Sequence, residues 1–179
     1  MSKITNFIVL LAFAQLSAIG SAFANSPIQL KKADHFGLTV PDIQQASEFF
    51  QKTFGAQVVD EIGPIFVPGG WMTENLNAPE KAVIRDIILL EIPGQFFIEL
   101  FNWKVKDQNT VQPNNSDIGG NHLGFEVDDI DTARQNLIDM GVKVLGKTKT
   151  VKAGPYTIKW VYFLTPWGSS LELVEKEIN

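Results

Sequence analysis

The chain has two histidines, His35 and His122, and they stand in matching surroundings. The segment His35-Phe-Gly-Leu-Thr-Val40-Pro-Asp42-Ile43-Gln-Gln-Ala46 runs alongside His122-Leu-Gly-Phe-Glu-Val127-Asp-Asp129-Ile130-Asp-Thr-Ala133. His, Gly, Val, Asp, Ile and Ala recur at an offset of 87. Two glutamates match as well: Glu99 within Phe96-Phe97-Ile98-Glu99-Leu100-Phe101, and Glu172 within Leu171-Glu172-Leu173-Val174. If the two repeats pack with pseudo-twofold symmetry, the four side chains converge. Two imidazoles and two carboxylates suit a divalent first-row metal, with positions left for water or substrate. A lone strand histidine is usually a core or surface residue, and a lone glutamate is usually solvated. The shared register and the apolar flanks weigh against both. Phe97, Glu99 and Phe101 alternate onto one strand face, and a carboxylate facing an apolar surface is costly unless paired or metal-bound.

These residues need a scaffold that repeats, and the sequence supplies one. His35–Val40 alternates like a strand. Asp42 is a natural N-cap, Ala46, Phe49, Phe50 and Phe54 follow at helical spacing, and Gly55 closes the helix. Strands are expected at Val58–Ile62, Val83–Ile92 and Phe96–Phe101, the last two joined by a Pro93-Gly94 turn. The second repeat follows the same course: strand His122–Val127, cap Asp129, helix Thr132–Met140, stop Gly141. Strands Val142–Leu145, Ile158–Leu164 and Ser170–Val174 complete it, with a turn at Pro166-Trp167-Gly168. The order is β-α-β-β-β twice, an α+β fold of two tandem modules at 33–103 and 121–176 that together make one domain. Residues 104–120, polar and bearing Pro113 and Gly119-Gly120, read as a linker. An insertion at 63–85, with Phe66, Gly69-Gly70, Trp71 and Met72, breaks the repeat. It is either a substrate-covering loop or a packing excursion.

Composition narrows the chemistry. The chain of 179 residues carries no cysteine, which removes disulfides, thiolate metal sites and cysteine nucleophiles. A formal net charge of −5 argues against nucleic acid as a partner. Residues 1–24 read as a secretory signal: Lys3, an apolar run from Phe7 to Phe13, and a small-x-small site at Ala22-Phe23-Ala24. Cleavage there leaves a mature protein starting at Asn25, periplasmic or secreted, with no further membrane segment.

The pattern resembles the vicinal oxygen chelate superfamily, which includes glyoxalase I, methylmalonyl-CoA epimerase, fosfomycin-resistance proteins and extradiol dioxygenases. The resemblance covers His35 to about Lys176. It implies two βαβββ modules pairing into a cup-shaped mixed sheet around a metal, with His35, Glu99, His122 and Glu172 on the four ligand positions. Glu99-Leu-Phe-Asn-Trp103 is similar to the glyoxalase I segment around its first glutamate. Thr165-Pro166-Trp167-Gly168 resembles the turn before the last ligand, and Val151-Lys152-Ala-Gly154 the Lys-Gly-Gly loop of bacterial glyoxalase I. Thr39 stands where bacterial glyoxalase I carries an arginine for glutathione, so that substrate is not implied.

The resemblance implies a metal-dependent lyase or isomerase of glyoxalase type that stabilises an enediolate or enolate of a small oxygenated substrate. Nickel, zinc, cobalt, manganese or iron would serve. Glu172 is the expected base, with Glu99 second, and Trp71, Phe97, Phe101 and Trp160 are the expected lining. An extradiol-type iron dioxygenase and a non-catalytic sequestering protein are the alternatives; the first is crowded by a fourth ligand, and the second typically lacks the ligands. A homodimer is expected, with the site formed within one chain or across two.

Overall fold

A computed structural model describes residues 27–179. The secretory signal expected at 1–24 lies outside them. The first module comprises β1 (His35–Thr39), α1 (Ile43–Phe54), β2 (Gln57–Ile62), β3 (Val83–Ile92) and β4 (Phe96–Lys104), with a short helix α2 (Trp71–Leu76) between β2 and β3. The second comprises β5 (His122–Glu126), α3 (Ile130–Asp139), β6 (Lys143–Ala153), β7 (Tyr156–Leu164) and β8 (Ser170–Ile178). Each module forms a four-stranded mixed sheet, ordered β1-β4-β3-β2 and β5-β8-β7-β6. The first strand of each module pairs in parallel with the last, and the other pairings are antiparallel. The repeat in the sequence is thus a repeat in topology, and β1 and β5 are both sheet edges.

Local chemistry explains the helices. Asp42 is extended and accepts a hydrogen bond from the Gln45 N–H at 3.0 Å, while Gly55, at φ 66°, ends α1 in the left-handed conformation that glycine tolerates. Ile43, Ala46, Phe49 and Phe50 form the buried stripe. Asp129 caps α3 through the N–H groups of Asp131 and Thr132. A further carboxylate serves that end: Glu175 of β8 accepts from the Ile130 N–H at 2.8 Å and pairs with Lys159 of β7.

One core joins the modules. Phe49, Phe50 and Phe54 of α1 reach across to the second sheet, where Phe54 stacks on Phe125 with ring centroids 4.2 Å apart and Phe49 meets Trp167 edge-on. Ile98 and Leu100 from the first sheet and Val161, Phe163, Leu171 and Leu173 from the second belong to the same buried cluster. Each sheet therefore turns one face towards the helices and core and leaves the other open. By strand alternation, His35, Phe97, Glu99 and Phe101 lie on the first open face, and His122, Trp160, Tyr162 and Glu172 on the second.

Three features differ from the sequence expectation. The strand expected at Val142–Leu145 continues to Ala153, through an irregularity that sets Leu145 opposite Tyr162 and Lys149 opposite Trp160. Gly146-Lys147-Thr148 interrupts the apolar alternation, which hid the continuation. The insertion contains a helical turn and folds back on its own module: a side chain at Gly63 would run into the Arg85 carbonyl, and Ile65 bridges to Ile84. β8 also runs on to Ile178 beyond Val174, through the charged Glu175, Lys176 and Glu177.

Candidate metal centre

The four ligand candidates form two pairs. In the first module, His35 Nε2 lies 3.6 Å from a Glu99 carboxylate oxygen. In the second, His122 Nε2 lies 3.4 Å from a Glu172 oxygen. The topology produces both: His35 is on an edge strand and Glu99 on its parallel neighbour, two residues beyond His35's partner Phe97, and His122 and Glu172 repeat that step. Metal bonds of about 2.0–2.2 Å at octahedral to tetrahedral angles hold neighbouring ligand atoms about 2.8–3.6 Å apart, so each pair has the spacing of two ligands on one ion. A neutral imidazole nitrogen and a carboxylate oxygen are suitable donors. Each pair holds two of the four ligand candidates read from the sequence. The pairs do not merge within the chain: among the described residues, no three His, Asp or Glu side chains converge as a metal site.

The pairs differ in their surroundings. Asp34 holds His35 Nδ1 at 2.9 Å, which leaves Nε2 directed to Glu99. That hydrogen bond, helped by the Glu99 charge and opposed by burial, raises the His35 pKa above its ordinary value. In the second pair, the Tyr162 hydroxyl lies 3.3 Å from His122 Nε2 and the two rings meet edge to face at 5.0 Å. Burial pushes the Glu172 carboxyl up, and His122 partly offsets it. Burial, with the Glu172 charge, likewise raises the Tyr162 phenol. The Glu172 side chain is 17% exposed and that of Glu99 28%, so Glu172 is the more desolvated carboxylate. Gly124 faces Glu172 across the strand pair, where an added Cβ would touch the carboxylate at 3.5 Å.

The expected lining residues separate. Phe97 and Phe101 flank Glu99 on the first open face, half-buried, and Trp160 sits beside Tyr162 on the second, ring centroids 5.4 Å apart. Trp71 is 38% exposed. Its neighbour Met72 is fully buried with Ile84 and Ile87, and Phe101 and Trp103 pack against that cluster. The insertion therefore leans on the first open face through Met72 rather than Trp71. Tyr162 was not singled out from the sequence. Its signal lay in the repeat: Tyr162 faces Glu172 where Leu89 faces Glu99, so a hydroxyl appears on one side only.

A family model described as the glyoxalase/bleomycin resistance protein/dioxygenase superfamily matches residues 34–159, the first module and the second as far as β7. The chain belongs to this superfamily. Among curated relatives of this superfamily member, a 2-epi-5-epi-valiolone epimerase from Actinomyces sp is 41% identical over 142 residues, covering 78% of this chain and 76% of the relative. The mitochondrial methylmalonyl-CoA epimerase of Dictyostelium discoideum is 27% identical over 168 residues, covering 93% and 90%. A glyoxalase family protein from Bacillus cereus has the same fold, with a TM-score of 0.63 at 19% identity over 84% of this chain and 97% of that one.

Proposed function

We propose that the protein is a divalent-metal-dependent isomerase of this superfamily, an epimerase by preference, acting on a small substrate with a proton α to a carbonyl. The observation that carries the reading is the pair of matched His–Glu half-sites, His35 with Glu99 and His122 with Glu172, each at ligand spacing and each at a free sheet edge. The two epimerases among the relatives support it. A second copy completes the site: when β1 of one chain abuts β5 of its partner, the two half-sites come side by side and form a two-histidine, two-carboxylate set. The leader at 1–24 takes this chemistry outside the cytoplasm.

The residues divide the work. When bound, a divalent metal supplies Lewis acidity that stabilises negative charge on a substrate carbonyl oxygen. His35 and His122 would hold it through Nε2. Glu172, the more desolvated carboxylate, takes the α-proton as the C–H electron pair moves towards the carbonyl. Glu99, facing from the other half-site, relays a proton from water to the opposite face of the same carbon, which inverts it. Exchange with water then restores both glutamates. Tyr162 hydroxyl, released from His122 once Nε2 is engaged, is a donor for the substrate oxygen. Phe97, Phe101 and Trp160 exclude water.

The reading is tested by incubating the metal-loaded protein in D2O with a panel of 2-hydroxy ketones, 2-methyl-3-oxo thioesters and cyclitol ketones, and following α-deuteration by NMR. Metal-dependent exchange that falls about 10²-fold or more in Glu172→Gln is expected. Exchange that is absent across the panel, or equal without metal, contradicts it.

A further inference from the structure

The two open faces match in fold but not in charge. In the first module, the rung next to Glu99 and Leu89 is filled by Ile87 and Ile62, paired across β3 and β2. In the second, the equivalent rung next to Glu172 and Tyr162 holds Trp160 and Lys149, paired across β7 and β6. An apolar pair on one wall is thus replaced by an indole and an ammonium on the other.

Lys149 is exposed and forms no ion pair or hydrogen bond among the described residues. Other lysines of the second sheet are committed: Lys159 to Glu175 and Glu177, and Lys176 to Glu126. Edge strands often carry lysines to discourage strand addition, and Lys143, Lys147 and Lys152 of β6 suffice for that. Lys152 pairs with Thr157 and falls on the helix-side face by alternation, whereas Lys149 falls on the open face.

The position of Lys149 is built rather than incidental. β6 takes four steps from Leu145 to Lys149 where β7 takes two from Tyr162 to Trp160. Two anchors from α3 hold this bulge: the Arg134 guanidinium donates to the Gly146 carbonyl at 2.9 Å, and the Thr148 hydroxyl donates to Asp131 at 3.1 Å. From Glu172, Lys149 is two strands across and one rung along. That puts their Cα atoms about 12 Å apart by strand spacing and rise. The lysine stem lets the ammonium swing over Trp160 towards the site.

We propose that Lys149, beside Trp160, is an anion subsite, and that the substrate carries a carboxylate or phosphate on a short chain leading away from its reacting carbon. The placement of the reacting carbon rests on the metal-dependent reading above; the subsite itself does not.

Two measurements separate them. With cobalt(II)-loaded protein, 2-oxoadipate, 2-oxo-5-phosphonopentanoate and 2-oxohexanoate are titrated while the cobalt absorption reports chelation. The anionic-tailed acids should bind about tenfold tighter than 2-oxohexanoate. The preference should shrink to about twofold in Lys149→Met and persist in Lys152→Met. The better of the two charged acids identifies the anion. Wild type without the preference, or Lys149→Met that keeps it, overturns the subsite. If cobalt does not bind, the metal reading fails, and the subsite is decided by the second measurement. There, inorganic phosphate is added to metal-free protein and the Trp160 indole N–H resonance, assigned with Trp160→Phe, is followed by NMR. A saturable shift lost in Lys149→Met supports the subsite, and a shift that is absent or unchanged in that variant refutes it.

Discussion

Replacing Glu175 should loosen the end of the molecule that carries the second half-site. Glu175 sits three residues after Glu172 on β8, with a side chain 9% exposed. One oxygen accepts from the Ile130 N–H at 2.8 Å at the start of α3, and the other meets Lys159 Nζ at 2.5 Å. The Ile130 N–H bond, then the Lys159 bond, hold its carboxyl below the usual range. A hydrogen bond to a buried charged group contributes about 1.5–3 kcal/mol. The Lys159 partnership adds little, because Lys159 is partly exposed and keeps Glu177. Glu175→Ala should therefore cost about 2–3 kcal/mol at pH 7, or about 4–12 °C in melting temperature for a domain of this size. A depressed folded pKa gives stability that is present above the unfolded pKa and lost as pH falls through the folded one. The deficit should accordingly shrink below about pH 4. Urea unfolding of wild type, Glu175→Ala and Glu177→Ala from pH 7 to pH 3 measures it. A Glu175→Ala loss under about 0.5 kcal/mol, or one independent of pH, refutes the reasoning.

Further outcomes follow from the same geometry. His122→Ala should purify with far less metal than wild type while unfolding at a similar urea concentration, since His122 is exposed and the core lies on the other sheet face; elemental analysis with denaturation checks both. Tyr162→Phe should keep its metal and lower kcat for α-proton exchange about tenfold with less effect on KM, read by deuteration kinetics. Met72→Ala should cost about 2–4 kcal/mol, because a fully buried side chain between Ile84 and Ile87 is lost; Trp71→Ala should cost less, and thermal unfolding compares them. N-terminal sequencing of exported protein should begin at Asn25, and an intact Met1 in that fraction would count against the leader.

The repeat makes much of this legible in the sequence itself. His35 and His122 in register marked the first strand of each module, Asp42 and Asp129 marked both helix starts, and the apolar flanks of Glu99 and Glu172 pointed to carboxylates on strand faces. What stayed hidden depends on cross-strand neighbours. Tyr162 joins the second half-site only through its register with Glu172, and Lys149 reaches the open face only because a bulge at Gly146-Lys147-Thr148 sets it opposite Trp160. Trp71 and Met72 are adjacent in sequence, and only the packing of α2 decides that Met72 goes inward. Nor did the repeat say whether its symmetry is realised within one chain. The shared aromatic core keeps the two open faces apart, because Phe49, Phe50 and Phe54 fill the space between the sheets on their helix sides.

The claim that two chains share each metal site is tested most directly by a mixed dimer. His35→Ala and His122→Ala chains are co-expressed with different affinity tags, and the doubly tagged species is isolated. If each site takes His35 and Glu99 from one chain and His122 and Glu172 from the other, this heterodimer has one intact site and one lacking both histidines. It should carry one tightly held metal per dimer, while each homodimeric variant carries almost none. A heterodimer as empty as its parents would contradict the account.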